Sequence, residues 1–180
     1  MTRSANSSAN SCRNKVLVLG LGNDVLTDDA IGLEVARQLR RDLADCPNVD
    51  VRETTEMGLA LLDHLAGYAA AIIVDAIQTG RQAPGSVHEL EPSSLSQLAG
   101  RTPHFLGVGE TLALGRQLGH PMPETVRIFA IEAQDPFTLG TSLSPALQAA
   151  LPGVVQRVAT AAREMAGGPA QRRAVWQPPM

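Results

Sequence analysis

Three aspartates and one of four histidines stand where an α/β chain places groups that do chemistry. Asp28 and Asp29 are adjacent in the stretch 20–32 (GLGNDVLTDDAIG), directly after the apolar run 16–19 (VLVL). Asp75 ends the most apolar run of the chain, 69–74 (AAAIIV). Short apolar runs of this kind read as buried strands. Ligands of parallel α/β sheets bind outside the carboxyl ends of the strands. Carboxylates there suit general acid–base work or a metal ion. A buried acid is costly unless it has a partner or faces a solvated crevice. A less specific reading stands beside this one. Thr27 or Asp28 caps the helix that follows, acids in a first turn complement its dipole, and Asp75 caps the next turn.

Among His64, His88, His104 and His120, only His104 combines a proline-led helix start, at Pro103, with glycine-rich surroundings. A helix N-terminus disfavours the imidazolium and leaves a neutral ring able to bind a metal. No short ligand interval ties His104 to the aspartates, so spacing alone favours a structural or exposed histidine over a ligand.

Other chemistries fit less well. The glycine pair Gly20 and Gly22 suggests a dinucleotide turn, with Glu53 near the place of a ribose-binding acid. The third glycine of that fingerprint is replaced by Val25, and Asp28 and Asp29 would repel a pyrophosphate. The chain has no P-loop and no G-x-S-x-G elbow.

The elements that must position these residues alternate between strand and helix. Ile31, Val35, Ala36 and Leu39 form one face of a helix after the first strand. The alternating 49–53 reads as a half-exposed strand near a sheet edge. A short helix follows to Leu65, with Thr55 as a candidate cap and Gly67 past its end. After the run to Val74, 86–90 reads as a short antiparallel edge strand. The segment 102–104 (TPH) opens a helix through Leu106, Val108, Leu112 and Leu114, in which Gly107 and Gly109 each cost about 1 kcal/mol relative to alanine. A strand spans 126–131. Ser144 and Pro145 start a last helix with Leu147, Leu151, Val154, Val155 and Val158 inward and Pro152 as a kink or restart. The pattern predicts a mainly parallel sheet covered on both faces, with an antiparallel edge strand.

With 180 residues, 44% of them hydrophobic, the chain reads as one domain, 15–166, between a disordered tail 1–14 and a flexible tail 167–180. Aromatics make up only 3%, so the core must be aliphatic. The net charge of −3 offers no footprint for nucleic acid or an anionic membrane. No apolar run approaches the roughly 18 residues of a membrane span. Cys12 and Cys46 form no disulfide framework or paired metal motif. The Ser- and Asn-rich opening lacks the apolar centre of a secretory signal, which predicts a cytoplasmic location.

Several blocks in fixed order carry a resemblance: 16–23 (VLVLGLGN) followed by 26–32 (LTDDAIG), then 73–76 (IVDA), Pro103-His104 with Leu106-Gly107, and 140–145 (GTSLSP). From about Lys15 to Val158 the chain resembles the nickel–iron hydrogenase maturation endopeptidases. The resemblance implies a three-layer α/β/α sandwich and an endopeptidase that removes the C-terminal extension of a hydrogenase large-subunit precursor after nickel insertion. It implies that Asp29, Asp75 and His104 form the catalytic, metal-contacting trio. The nickel would arrive with the precursor rather than be stably bound, and the protein would act as a monomer. Many relatives carry glutamate at the place of Asp29, so the charge is kept but the reach is shorter. Ala30 stands where relatives often have glycine. The segment 53–58 (ETTEMG) replaces a glycine pair in a loop implied to lie near the substrate, which bears on substrate identity. Two rival readings are a non-catalytic, nickel-sensing chaperone of the large subunit and a hydrolase with its own zinc.

Overall fold

The computed structural model describes residues 15–92 and 107–167. The predicted tail 1–14 with Cys12, the predicted tail 167–180 except Gly167, and the start of the predicted helix at 102–106 lie outside the described residues.

Five strands form one sheet: β1 (Val16–Leu21), β2 (Val49–Thr54), β3 (Ala70–Ile77), β4 (Val87–Leu90) and β5 (Thr125–Glu132). Their order is β2-β1-β3-β5-β4. All neighbours pair parallel except β4, which runs antiparallel to β5 at the edge. The central strands β1 and β3 carry the continuous apolar runs, as burial on both faces requires, and β5 is apolar from Ile128 to Ile131. β2 alternates because it is an edge strand, and Val49 is its one fully buried residue.

Helices cover both faces. Side chains alternate along each strand, so each strand contributes to two cores. On one face Val18, Ile72, Val74, Phe129 and Ile131 meet α1 (Ile31–Asp42) and the last helix, α4 (Pro145–Ala166). On the other face Leu19, Ile73, Ile77, Ile128 and Ala130 meet α2 (Leu61–Leu65) and α3 (Val108–Gln117). The result is the three-layer sandwich predicted. Among the described residues no helix is long and apolar enough to cross a membrane.

Three local expectations need correction. Of the kink or restart expected at Pro152, the restart does not occur, and α4 runs on through Pro152. Pro152 removes the donor for the Gln148 carbonyl, but both residues are exposed. Water can therefore serve that carbonyl, while Leu147, Val154, Val155 and Val158 hold both halves of the helix on the sheet. Thr55 caps nothing, because a 3₁₀ turn (Gly58–Ala60) led by Met57 precedes α2. Gly107 does not weaken α3 from within. It sits just before the helix at φ 88°, in the left-handed region that glycine tolerates. The Ser144 cap stands as expected, its hydroxyl accepting from the Leu147 amide at 3.5 Å, with Pro145 next.

Candidate active site

The site begins with close contacts that only glycine permits. A Cβ on Gly20 would lie 2.1 Å from the Gly32 carbonyl oxygen. One on Gly32 would lie 2.2 Å from the Leu21 oxygen and 2.4 Å from that of Val74. One on Gly22 would lie 2.1 Å from the Asp29 oxygen. The 3₁₀ turn (Asp28–Ala30) and the start of α1 therefore rest directly on the carboxyl ends of β1 and β3. In the β1–β3 register Gly20 pairs with Val74, which puts Asp75 level with Leu21, the last residue of β1. Both candidate aspartates thus lie on one edge of the sheet, at neighbouring strand ends.

The two adjacent acids do different work. Asp28 is fully buried, and its carboxylate accepts three backbone amides from the connection between β5 and α4. Gln134 and Asp135 donate to Oδ2 at 2.9 and 2.8 Å, and Ser144 donates to Oδ1 at 2.7 Å. It caps no helix of its own, and Thr27 makes no side-chain cap either. The Thr27 hydroxyl instead donates to the Asp135 carbonyl. The Thr27 amide donates to Thr138, the Asp28 amide to Asp135, and the Gly140 amide to Val25. Asp28 is therefore the clamp between the β1 and β5 loops, a role that needs both of its oxygens.

Asp29 is only 3% exposed. It lies in the wall of a small cavity of about 70 Å³, together with Leu26, Ala76, Ile77, Gln78, Pro136 and Phe137. Asp75 is fully buried, and its Oδ1 accepts the Ala76 amide at 2.8 Å. Because β3 runs on to Ile77, this contact to the next residue lies within the strand and does not cap the following turn. Its position between Ile73 and Ile77 assigns it to the face covered by α3, the helix that follows His104 in the chain. His104 itself lies outside the described residues. Among the described residues no three His, Cys, Asp or Glu side chains gather as a metal site.

The other histidines are engaged elsewhere or lie at the surface. His64 Nε2 is 2.7 Å from Glu56, His88 Nε2 is 3.1 Å from Glu132, and His120 is exposed. Glu53 bridges Arg37 and Arg40, each at 3.3 Å, and so ties the end of β2 to α1. That pairing accounts for Glu53 without a ribose. The loop 53–58 leads to Gly58, whose carbonyl accepts the Thr111 hydroxyl at 3.2 Å. Met57 and Leu59 project from this loop, 48% and 62% exposed.

Sequence reasoning missed one buried acid. Glu132, 1% exposed, ends β5 as Asp75 ends its own apolar run, and that was the available signal. Its carboxylate accepts the Thr79 amide and hydroxyl, each at 2.7 Å, and the Gly80 amide at 2.8 Å. Burial alone would raise the carboxyl, but the Thr79 hydroxyl, the Gly80 and Thr79 amides and His88 together hold it below the ordinary glutamate range. Glu132 secures the loop after β3, which carries one wall of the cavity.

Comparison with known proteins agrees with this architecture. The profile of the hydrogenase maturation protease family (HycI) matches residues 33–161, a span that includes Asp75 and His104 and starts just after Asp29. The hydrogenase 2 maturation protease of Escherichia coli K12 is 29% identical over 154 residues, 83% of this chain and 92% of that protein. The hydrogenase expression/formation protein HoxM of Cupriavidus necator is 26% identical, over 91% of this chain and 81% of its own length. The solved structure of the hydrogenase maturating endopeptidase HybD from E. coli superposes with a TM-score of 0.69 at 28% identity, covering 83% of this chain and 92% of that one. The HybD maturation protease of Thermococcus kodakarensis gives 0.62 at 26% identity, covering 82% and 99%. The chain belongs to the hydrogenase maturation protease family.

Proposed function

We propose that this protein is the endopeptidase that removes the C-terminal extension of a nickel–iron hydrogenase large-subunit precursor once nickel is in place. Asp29, Asp75 and His104 are its working residues. The observation that carries the reading is the pair of buried carboxylates, Asp29 and Asp75, at adjacent strand ends on one edge of the sheet. The nickel belongs to the substrate, already held by the precursor. Two carboxylates and an imidazole make a modest donor set, suited to touching an ion held by others rather than extracting it. That contact positions the scissile peptide, and positioning of this kind lowers barriers by about 7–11 kcal/mol. Buried carboxylates at the same edge are placed to take a proton from an attacking water.

The test is cleavage of the purified precursor with and without nickel loading, with mass spectrometry reporting loss of the C-terminal peptide. Nickel-dependent cleavage should fall at least ~100-fold in Asp75→Asn and in Asp29→Asn, the loss typical of a mispositioned or missing acid–base group. Tight precursor binding with no cleavage by the wild-type protein would overturn the proposal in favour of a chaperone.

A further inference from the structure

The cavity beside Asp29 has the dimensions and lining of a side-chain pocket. Its volume of about 70 Å³ is several times the roughly 10–15 Å³ that one water needs. Leu26, Ala76, Ile77, Pro136 and Phe137 make its walls apolar, so water gains little there and an aliphatic group gains much. Asp29 and Gln78 are its polar residues.

Exposed apolar side chains neighbour the cavity lining in the chain. Phe137 is 51% exposed, Val25 55% and Leu139 79%, and all three sit on the two loops that supply Leu26, Pro136 and Phe137 to the lining. Leu26 and Leu139 form a β-bridge across these loops, and the Gly140 amide donates to Val25. The Asp28 carboxylate fixes the same two loops from beneath. The pocket is therefore preformed, and filling it costs little ordering. Apolar surface around a rigid, concave, apolar site marks a place for a ligand.

We infer that this pocket is a specificity subsite that takes the aliphatic side chain of a residue next to the scissile bond. The inference rests on the proteolytic reading above, because Asp29 in the pocket wall is what places the bond alongside. Valine-, isoleucine- and leucine-sized groups suit the volume, and a carboxylate is rejected by Asp29 at the wall. The precursor's aliphatic residue thereby sets which bond is presented, alongside whatever contact the nickel makes.

The test uses the full-length protein and the nickel-loaded large-subunit precursor carrying Val, Ala or Asp at each residue flanking the cut, one at a time. Binding is read by anisotropy of the labelled precursor and cleavage by mass spectrometry. At one flanking position Val should exceed Ala by about 10-fold, in line with one or two methylenes in an apolar pocket, and exceed Asp by at least ~100-fold. Leu26→Trp, which fills the pocket from a half-buried loop position, should flatten the preference at that position alone, with a melting curve confirming the fold. Cleavage without an aliphatic preference at either position, or with one that Leu26→Trp leaves intact, overturns the subsite while the proteolytic reading stands. Aliphatic-selective binding that Leu26→Trp abolishes, without any cleavage, supports the pocket and overturns the protease reading. Neither binding nor cleavage overturns both.

Discussion

Asn in place of Asp28 changes one atom and almost no volume, yet three backbone amides depend on that atom and its twin. The carboxylate serves Gln134 and Asp135 with one oxygen and Ser144 with the other, all between 2.7 and 2.9 Å. An asparagine keeps one acceptor oxygen. With the oxygen toward Gln134 and Asp135, its NH₂ faces the Ser144 amide, donor against donor; turned over, it opposes the other two. At least one buried amide is left unmade, at about 1–3 kcal/mol, and the surviving bonds lose the charge that roughly doubled them. The sum is about 3 kcal/mol. In a domain of this size each kcal/mol moves the midpoint by about 2–4 °C, so Asp28→Asn should melt about 6–12 °C below wild type by circular dichroism. A urea titration should show a lower midpoint at unchanged slope, since the same surface is exposed on unfolding. A melting point within about 2 °C of wild type would refute the clamp, because one lost bond alone exceeds that shift.

Two further outcomes follow from other contacts. Gly32→Ala drives a Cβ to 2.2 Å from the Leu21 oxygen and 2.4 Å from the Val74 oxygen, both rigid backbone. Overpacking of this kind costs about 1–3 kcal/mol or more, and displacing Asp29 by about 1 Å should cost the cleavage rate about 100-fold; wild-type melting and cleavage would disprove the close seat. Glu132→Gln should cost about 2 kcal/mol at neutral pH, because a charged acceptor of the Thr79 and Gly80 donors becomes neutral. Its folded-state carboxyl lies below the ordinary 4.5, so the unfolded chain takes up the proton first. The wild-type advantage is therefore full above that value and is lost as pH falls through the folded value. Urea midpoints of the two proteins should converge on acidification, and a gap that widens toward low pH would contradict the assignment.

The amino-acid sequence determined the architecture because its signals are local. The apolar runs at 16–19 and 69–74 predicted central strands, the alternation at 49–53 predicted an edge strand, and 86–90 predicted the antiparallel one. Periodicity reports whether one face or two are buried, and a neighbour in sequence suffices to read it. Asp75 was legible for the same reason, as an acid that ends an apolar run, although its strand continues two residues further, to Ile77. Glu132 carried the same signal one residue beyond the predicted strand end, where boundaries are set by pairing with β3 rather than by composition.

The division of labour between Asp28 and Asp29 was decided by tertiary structure. Both acids share one local sequence, and capping rules treat them alike. What separates them is the β5–α4 connection, more than 100 residues away in the chain, three of whose amides the Asp28 carboxylate accepts. The cavity beside Asp29 likewise needs Phe137 and Pro136 to come up against Leu26, and loop-to-loop hydrogen bonds rather than any motif bring them there. The Pro152 helix followed the same rule, since packing of its inner face outweighed one missing backbone bond. Local pattern fixes which elements form and which face they bury; which of two neighbouring carboxylates is a clamp and which lines a pocket depends on contacts that exist only once the chain has closed.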